Sequence, residues 1–283
     1  MEYCHVYTKG LKRNLLFSCD ADFIYGMNLI PKSLAGTGVE LLAFCLMDNH
    51  LHFILRAPRD RSASFIVNYK KSLSAYIALT GRRVGEKIEA GISRIDTAAY
   101  LMTSIAYVLR NPVVAGLNCI PQDYRWSSAA VYFRRRTQAE MAGSRTIGTM
   151  SYKDKRATIK GQHDFPDDWM VDNDGVILPE FYTAVAEVEN LFTSVRRYMY
   201  YLSASQEAEV NGTVGEKVRL CDSDLRKEAV KVSLDKFGTA SANLLDHAQR
   251  FVICKILRKK FGASYKQLGR VMHIDYEYLK MMI

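Results

Sequence analysis

No apolar run in the 283-residue chain approaches the roughly 18 residues that a membrane-spanning helix needs. The first residues also lack the basic stretch and apolar segment of an export signal. The six cysteines (Cys4, Cys19, Cys45, Cys119, Cys221 and Cys254) include no Cys-x-x-Cys pair. Several stand in apolar surroundings, as Cys45 does within residues 41–47, which suits reduced, buried thiols better than a disulfide framework or a zinc cage. Together these absences set the expectation of a cytoplasmic protein that makes no membrane contact. Internal repeats and low-complexity tracts are missing too. With 48% hydrophobic and 24% charged residues, the composition is that of a folded globular chain, long enough for one good-sized domain and a smaller one.

What the chain has in excess is positive charge. Lys and Arg number 39 against 30 Asp and Glu, a formal net charge of +9. Such an excess suits a polyanionic partner, because phosphate contacts release condensed counterions and steer encounter. A basic protein with no nucleic-acid partner would show the same balance.

Along the first third, strand and helix signals alternate. Residues 3–11 alternate apolar and polar side chains, as a half-buried strand does. Asp20 is placed to cap a helix through Phe23, Ile24, Met27, Leu29 and Ile30, which Gly36 and Gly38 end. Residues 39–47 and 51–55 read as strands joined by a turn at Asp48-Asn49. Ser62 or Ser64 starts a helix carrying Phe65, Ile66, Tyr69, Leu73, Tyr76 and Ile77 at helical spacing, with Gly81 as its stop. Residues 82–95 read as a basic loop and a short strand, and Thr97 caps a helix that Pro112 closes. This order predicts an α+β fold built on an antiparallel sheet with packed helices. Residues 136–179, rich in Gly, Ser, Thr, Asp and Lys, read as a linker with short elements. Residues 180–283 read as an all-helical C-terminal module.

Two local features carry chemistry. In Asn49-His50-Leu51-His52-Phe53, alternation along a strand sends both imidazoles to one face and Leu51 and Phe53 to the other. Two such rings can chelate a divalent cation through neutral nitrogens, and two solvent-facing histidines would give the same string. His5, His163, His247 and His273 form no second cluster, so a three-histidine zinc site is poorly supported. In residues 106–112, Tyr107 and Asn111 stand four apart on one helix face. Taken alone, Tyr107 reads as a half-buried core aromatic and Asn111 before Pro112 as a stop signal.

Jointly the two features resemble the HUH single-tyrosine transposases. Tyr107-Val-Leu-Arg-Asn-Pro-Val-Val-Ala-Gly-Leu117, Asp123-Tyr-Arg-Trp-Ser-Ser128, Leu46-Met-Asp-Asn-His-Leu-His52 and Lys9-Gly-Leu-Lys-Arg-Asn-Leu-Leu-Phe17 resemble the REP-associated tyrosine transposases of that superfamily. The resemblance covers about residues 1–135. It implies a ferredoxin-like antiparallel sheet and a metal-dependent single-strand DNA endonuclease or strand transferase acting at hairpin DNA. It further implies Mg²⁺ or Mn²⁺ held by His50, His52 and the side-chain carbonyl of Asn111. Tyr107 is the implied nucleophile, forming a 5′-phosphotyrosine intermediate. A monomer would use Tyr107 beside its own histidines, and a swapped homodimer would place it in the partner's site. Val114 stands where the family pattern has Arg.

Candidate DNA contacts are Lys9, Lys12 and Arg13 in the N-terminal loop, Lys70, Lys71, Arg82 and Arg83 in a central basic cluster, and Arg110 beside the candidate site. A solvated charged face accounts for the central cluster almost as well. Tyr69 and Tyr76 are rival nucleophiles whose spacing fits core packing better. In residues 247–283, an amphipathic basic helix precedes two short helices joined by His273-Ile-Asp275, the pattern of a helix-turn-helix with Tyr276, Tyr278 and Lys280 on the recognition helix. A helical bundle without DNA contacts has the same pattern. The reading from another class is a non-catalytic DNA-binding regulator that keeps the fold, and such a role has no need of His50, His52, Tyr107 and Asn111 together.

Overall fold

Strands β1 (Tyr3–Thr8), β2 (Glu40–Met47), β3 (His50–Arg56) and β4 (Ala90–Ile95) form one sheet in the order β2-β3-β1-β4, every neighbouring pair antiparallel. Helix α1 (Asp20–Leu34) lies between β1 and β2 in the chain, and α2 (Arg59–Leu79) between β3 and β4. The computed structural model describes residues 2–11, 14–82, 84–117, 119–159, 165–203, 222–240 and 244–283. The chain divides into unit 1 (1–96 and 104–198) and unit 2 (97–103 and 199–283).

The expected two-residue hairpin is present: Met47 pairs with His50 across the turn at Asp48-Asn49. That turn also anchors the N-terminal loop, because Leu16 and Phe17 donate backbone N–H groups to Asp48 O and Leu11 donates to Asn49 O. One face of the sheet presents Val6, Phe44, Leu46, Leu51, Phe53 and Leu55 to a core shared with Phe23, Met27 and Ile30 of α1 and Phe65, Tyr69 and Leu73 of α2. Gly26 permits the close approach there, since a Cβ would stand 2.5 Å from the buried Phe17 ring. Tyr69 is fully buried and donates to Gly26 O at 2.9 Å; Tyr76 stacks on Tyr25 at 3.9 Å. Both rival tyrosines are therefore packing residues.

Three boundaries differ from the sequence reading. Cys19, not Asp20, occupies the N-cap of α1, while Asp22 accepts from the Ser18 N–H and hydroxyl just before it. Helix α2 starts at Arg59 behind Pro58, ahead of either serine. Helix α3 (Ala98–Val114) runs through Pro112 instead of ending before it. The physical reason lies in Asn111: a proline has no N–H for the carbonyl four residues back, and Asn111 Nδ2 donates to that carbonyl, Val108 O, at 3.3 Å and to Tyr107 O at 3.0 Å.

The segment 136–179, expected to be a linker with short elements, contributes Ile147, Met150, Phe165, Val171, Val176 and Ile177 to the unit 1 core. It contains helices α4 (Gln138–Met141) and α5 (Tyr152–Ile159) and the two-stranded pair β5 (Arg145–Thr146) and β6 (Met170–Val171). Asn28 of α1, itself buried, holds it in place by donating to Thr158 O at 3.1 Å and Gly175 O at 2.7 Å and accepting from Ile177 N at 2.8 Å. The outer edge of β2 is covered as well, since Leu46 N donates to Trp126 O, Ser128 N to Phe44 O and Ala184 N to Leu41 O. Capping an edge in this way removes a template for strand addition. Unit 1 continues through α6 (Val185–Phe192) to Tyr198, whose buried hydroxyl donates to Ala129 O. Helix α7 (Val195–Ser203) begins there.

Unit 2 contains α8 (Asp222–Phe237), α9 (His247–Phe261), α10 (Tyr265–Met272) and α11 (Tyr276–Met282) around a core of Leu225, Ile253, Leu257, Leu268, Val271 and Leu279. Capping boxes at Asp246/Gln249 and Ser264/Gln267 start α9 and α10. His273 in the left-handed region ends α10, and Asp275 caps α11 by accepting from Tyr278 N, so two short helices follow one another across residues 273–275. Among the described residues no helix is long and apolar enough to cross a membrane, and Cys4, Cys19, Cys45, Cys119 and Cys254 are free thiols.

Candidate active site

The second face of the sheet is polar along its centre. Residues opposite one another in antiparallel strands share a face, and the register sets Tyr7 against His52 from one side and Cys45 against it from the other. His50 and His52 stand two apart on β3, so both project to this face with His5 and Tyr7 of β1. Ring contacts confirm the grouping: His50 and His52 centroids are 5.0 Å apart, His5 and His52 5.1 Å, His5 and Tyr7 5.0 Å. Gly91 of β4 makes room at the rim, where a Cβ would stand 2.5 Å from the Tyr7 ring.

Helix α3 brings two further residues to this face. The Tyr107 ring, half-buried, stands edge-on to His52 at 5.5 Å and to His5 at 5.9 Å. One turn later, Asn111 Oδ1 lies 3.2 Å from His50 Nε2. The sequence-expected quartet of His50, His52, Tyr107 and Asn111 is thus assembled within a single chain.

Hydrogen bonds fix what each atom can do. Asn49 Nδ2 donates to Leu11 O at 2.9 Å, which turns Asn49 Oδ1 toward His50 Nδ1 at 2.7 Å. An amide oxygen only accepts, so a neutral His50 donates to one of its two amide neighbours, and the 2.7 Å contact of Nδ1 with Asn49 Oδ1 is shorter than the 3.2 Å contact of Nε2 with Asn111 Oδ1. Burial lowers the pKa of His50, although Asn111 Oδ1 opposes the shift by favouring a second proton. A neutral ring with its proton on Nδ1 presents a lone pair at Nε2. The Asn111 amide is oriented just as firmly, its NH₂ committed to the carbonyls of Tyr107 and Val108. His50 Nε2 and Asn111 Oδ1 face each other across 3.2 Å. Adjacent ligand atoms of an octahedral cation with bonds of about 2.1 Å stand about 3 Å apart, close to the separation seen.

His52 is the deeper ring, only 5% exposed, and burial lowers its pKa well below the usual histidine range, with His5 and His50 adding to the effect. Its Nδ1 is engaged with His5 Nε2 at 2.9 Å, which leaves Nε2 as the nitrogen available to a ligand. Among the described residues no three His, Cys, Asp or Glu side chains gather as a metal cage. The donor set is two imidazoles and one amide oxygen, which could hold a divalent cation with remaining positions open to water or substrate.

The expected DNA contacts divide. Lys9 is exposed and paired with Glu89 at 2.6 Å; Lys71 and Lys280 are exposed. Lys70 is half-buried, and burial together with Lys87 lowers its pKa. Arg82 is tied to the buried Asp22 at 2.7 Å, a structural ion pair that accounts for its position without DNA. Arg110 departs from expectation, being 6% exposed and so not displayed toward a phosphate backbone. Lys12, Arg13 and Arg83 lie outside the described residues, as does the side chain of Tyr276. Trp126 stacks on Phe23 at 4.9 Å, and Tyr124 donates to Leu46 O, so both are packing residues rather than base platforms. The sequence reading set His5 aside for want of neighbouring histidines; the alternation of Tyr3, His5 and Tyr7 along β1 was the signal that placed it on the polar face.

No family model matches the chain, and no curated protein matches it. A solved structure does. It is a REP-associated tyrosine transposase bound to a REP hairpin, 15% identical, with the match covering 46% of this chain and 77% of that one at a TM-score of 0.36. Likeness at that level leaves the site to be argued from its own geometry.

Proposed function

We propose that the chain is a metal-dependent single-strand DNA endonuclease and strand transferase that acts at hairpin DNA through a 5′-phosphotyrosine intermediate on Tyr107. One observation carries this reading. His50 Nε2 lies 3.2 Å from Asn111 Oδ1, and the Tyr107 ring stands 5.5 Å from the adjacent His52. A packing role for these four residues has no need of two imidazoles, an amide oxygen and a phenol converging on one polar face. The net charge of +9 supports a polyanionic substrate. The family resemblance of the quoted motifs narrows that substrate to single-stranded hairpin DNA.

His50, His52 and Asn111 would hold Mg²⁺ or Mn²⁺, which when bound supplies Lewis-acid polarisation of the scissile phosphate. Tyr107 attacks phosphorus through Oη. The new P–Oη bond forms as the P–O3′ bond breaks, and the tyrosine proton ends on the departing 3′-oxygen. Phosphodiester energy is conserved in the covalent link, so another 3′-hydroxyl can reverse the exchange without ATP. Half-burial of Tyr107 against two imidazoles limits its ring to few orientations, which lowers the entropy lost on reaching an attack geometry. In unit 2, the exposed Tyr278 and Lys280 on α11 suit contact with duplex DNA.

The test is incubation with Mn²⁺ and 3′-labelled hairpin oligonucleotides, followed by a denaturing gel. A protease-sensitive shifted band in the wild type, absent from Tyr107→Phe while DNA binding persists, is the expected result. Tight hairpin binding and strand cleavage with no covalent band would refute it, and binding without any cleavage would favour the regulator reading.

A further inference from the structure

Metal-binding histidines ordinarily donate their second ring N–H to a carboxylate or a backbone carbonyl, which fixes the tautomer and aims the ligating lone pair. His50 follows this rule through Asn49. The partner of His52 Nδ1 is unusual, for it is another imidazole, His5 Nε2, at 2.9 Å.

Resting on the metal-site reading above, we infer that His5 is a positioning residue: it accepts the Nδ1–H of His52, and so holds His52 in the tautomer whose Nε2 lone pair faces the cation. The hydrogen bond between the rings needs one donor and one acceptor. If His5 donated, His52 would carry its proton on Nε2 and could not ligate through it. Geometry restrains His5 as well. Its ring is stacked on His52 (centroids 5.1 Å apart, planes 23° apart), flanked by Tyr7 at 5.0 Å, and met edge-on by Tyr107 at 5.9 Å. The same ring thereby touches both the metal ligand and the nucleophile, and a shift of β1 would disturb the two together. A neutral acceptor also adds no negative charge, which leaves the charge of the site to the cation and the DNA phosphate.

Simple packing makes a different demand, for it asks only for a flat ring of this size. His5→Phe keeps the ring and removes the acceptor, whereas His5→Gln removes the ring and keeps an acceptor oxygen. Two measurements on the full chain distinguish the accounts. In the first, ¹⁵N-detected imidazole spectra without metal report the His52 tautomer directly. The wild type and His5→Gln are expected to show Nδ1–H, and His5→Phe a shift toward Nε2–H. In the second, Mn²⁺ binding is followed by the loss of the free-ion paramagnetic resonance signal. His5→Phe is expected to weaken binding about 10- to 100-fold, the range for losing an outer-shell partner, with His5→Gln close to wild type.

An Nε2–H tautomer for His52 in the wild type would overturn the inference even if His5→Phe does not fold. So would Mn²⁺ affinity in a folded His5→Phe equal to that of the wild type. Absence of Mn²⁺ binding by the wild type itself would instead remove the metal-site reading, so the two failures are distinguishable.

Discussion

Replacing Asn111 by Asp or by Leu separates its two duties, which the structure assigns to opposite ends of one amide. The NH₂ end donates to Tyr107 O and Val108 O, and the second of these carbonyls lacks its usual donor four residues on because residue 112 is proline. An unmet buried carbonyl costs about 1–3 kcal/mol. In Asn111→Asp an oxygen also replaces the NH₂ beside two carbonyl oxygens, so the combined loss in metal-free protein is about 2–4 kcal/mol. For a folding unit of this size that lowers the unit 1 transition by on the order of 10 °C. The oxygen end behaves differently. Metal at 100 times its dissociation constant stabilises the wild type by about 2.7 kcal/mol. Asn111→Asp retains an oxygen ligand and adds charge, so it gains at least as much, and its deficit narrows in saturating Mn²⁺. Asn111→Leu suffers a similar loss without metal and recovers little. Calorimetric scans in EDTA and across an Mn²⁺ titration measure both effects. Asn111→Asp as stable as the wild type in EDTA would refute the role assigned to the amide NH₂, and a full metal shift in Asn111→Leu would refute the role assigned to its oxygen.

Acid should destabilise unit 1 early. The folded-state pKa of His5 is lowered by burial from 6.5 to about 4, and those of His50 and His52 are lowered for the same first reason. Unfolded chains take up these protons near pH 6.5, so this stability is present above 6.5 and falls away as the pH drops toward 4, by about 3 kcal/mol at most for His5. Urea unfolding at pH 7 and pH 4.5 checks this, and a triple variant without the three histidines should show a flatter profile. Asn28→Ala removes three hydrogen bonds to residues 158–177, and trypsin should then cut within that segment at rates the wild type resists. Because Tyr107 and the histidines meet within one chain, a mixture of Tyr107→Phe and His52→Ala proteins should recover no covalent activity; recovery would show an exchanged helix.

The core of unit 1 was legible because its signals are local. Period-two alternation marked β1, the Asp48-Asn49 turn marked the hairpin, and helical spacing of Phe65, Tyr69 and Leu73 marked the buried face of α2. The shared face of His50 and His52 follows from strand geometry alone. What could not be read depends on long-range contacts. Residues 136–179 are polar enough to resemble a linker, yet scattered Ile147, Met150, Val176 and Ile177 suffice once Asn28, more than a hundred residues earlier, satisfies their backbone. His5 is 47 residues from His52, and only the sheet order β3-β1 makes them neighbours. Pro112 reads as a helix end because a proline usually is one; the Asn111 side chain that replaces the missing donor is visible only in three dimensions. Arg110 and Arg82 read as surface charge from sequence, while the fold buries the first and pairs the second with Asp22.

The most direct test of the central claim is peptide mapping of the covalent product. Protein incubated with Mn²⁺ and a cleavable hairpin would be digested with nuclease and trypsin and analysed by mass spectrometry. The account predicts a nucleotide 5′-phosphate attached to Tyr107 and a free 3′-hydroxyl on the released strand. A nucleotide on Tyr7 or any other residue, or cleaved DNA whose 5′ end is never linked to protein, would contradict it.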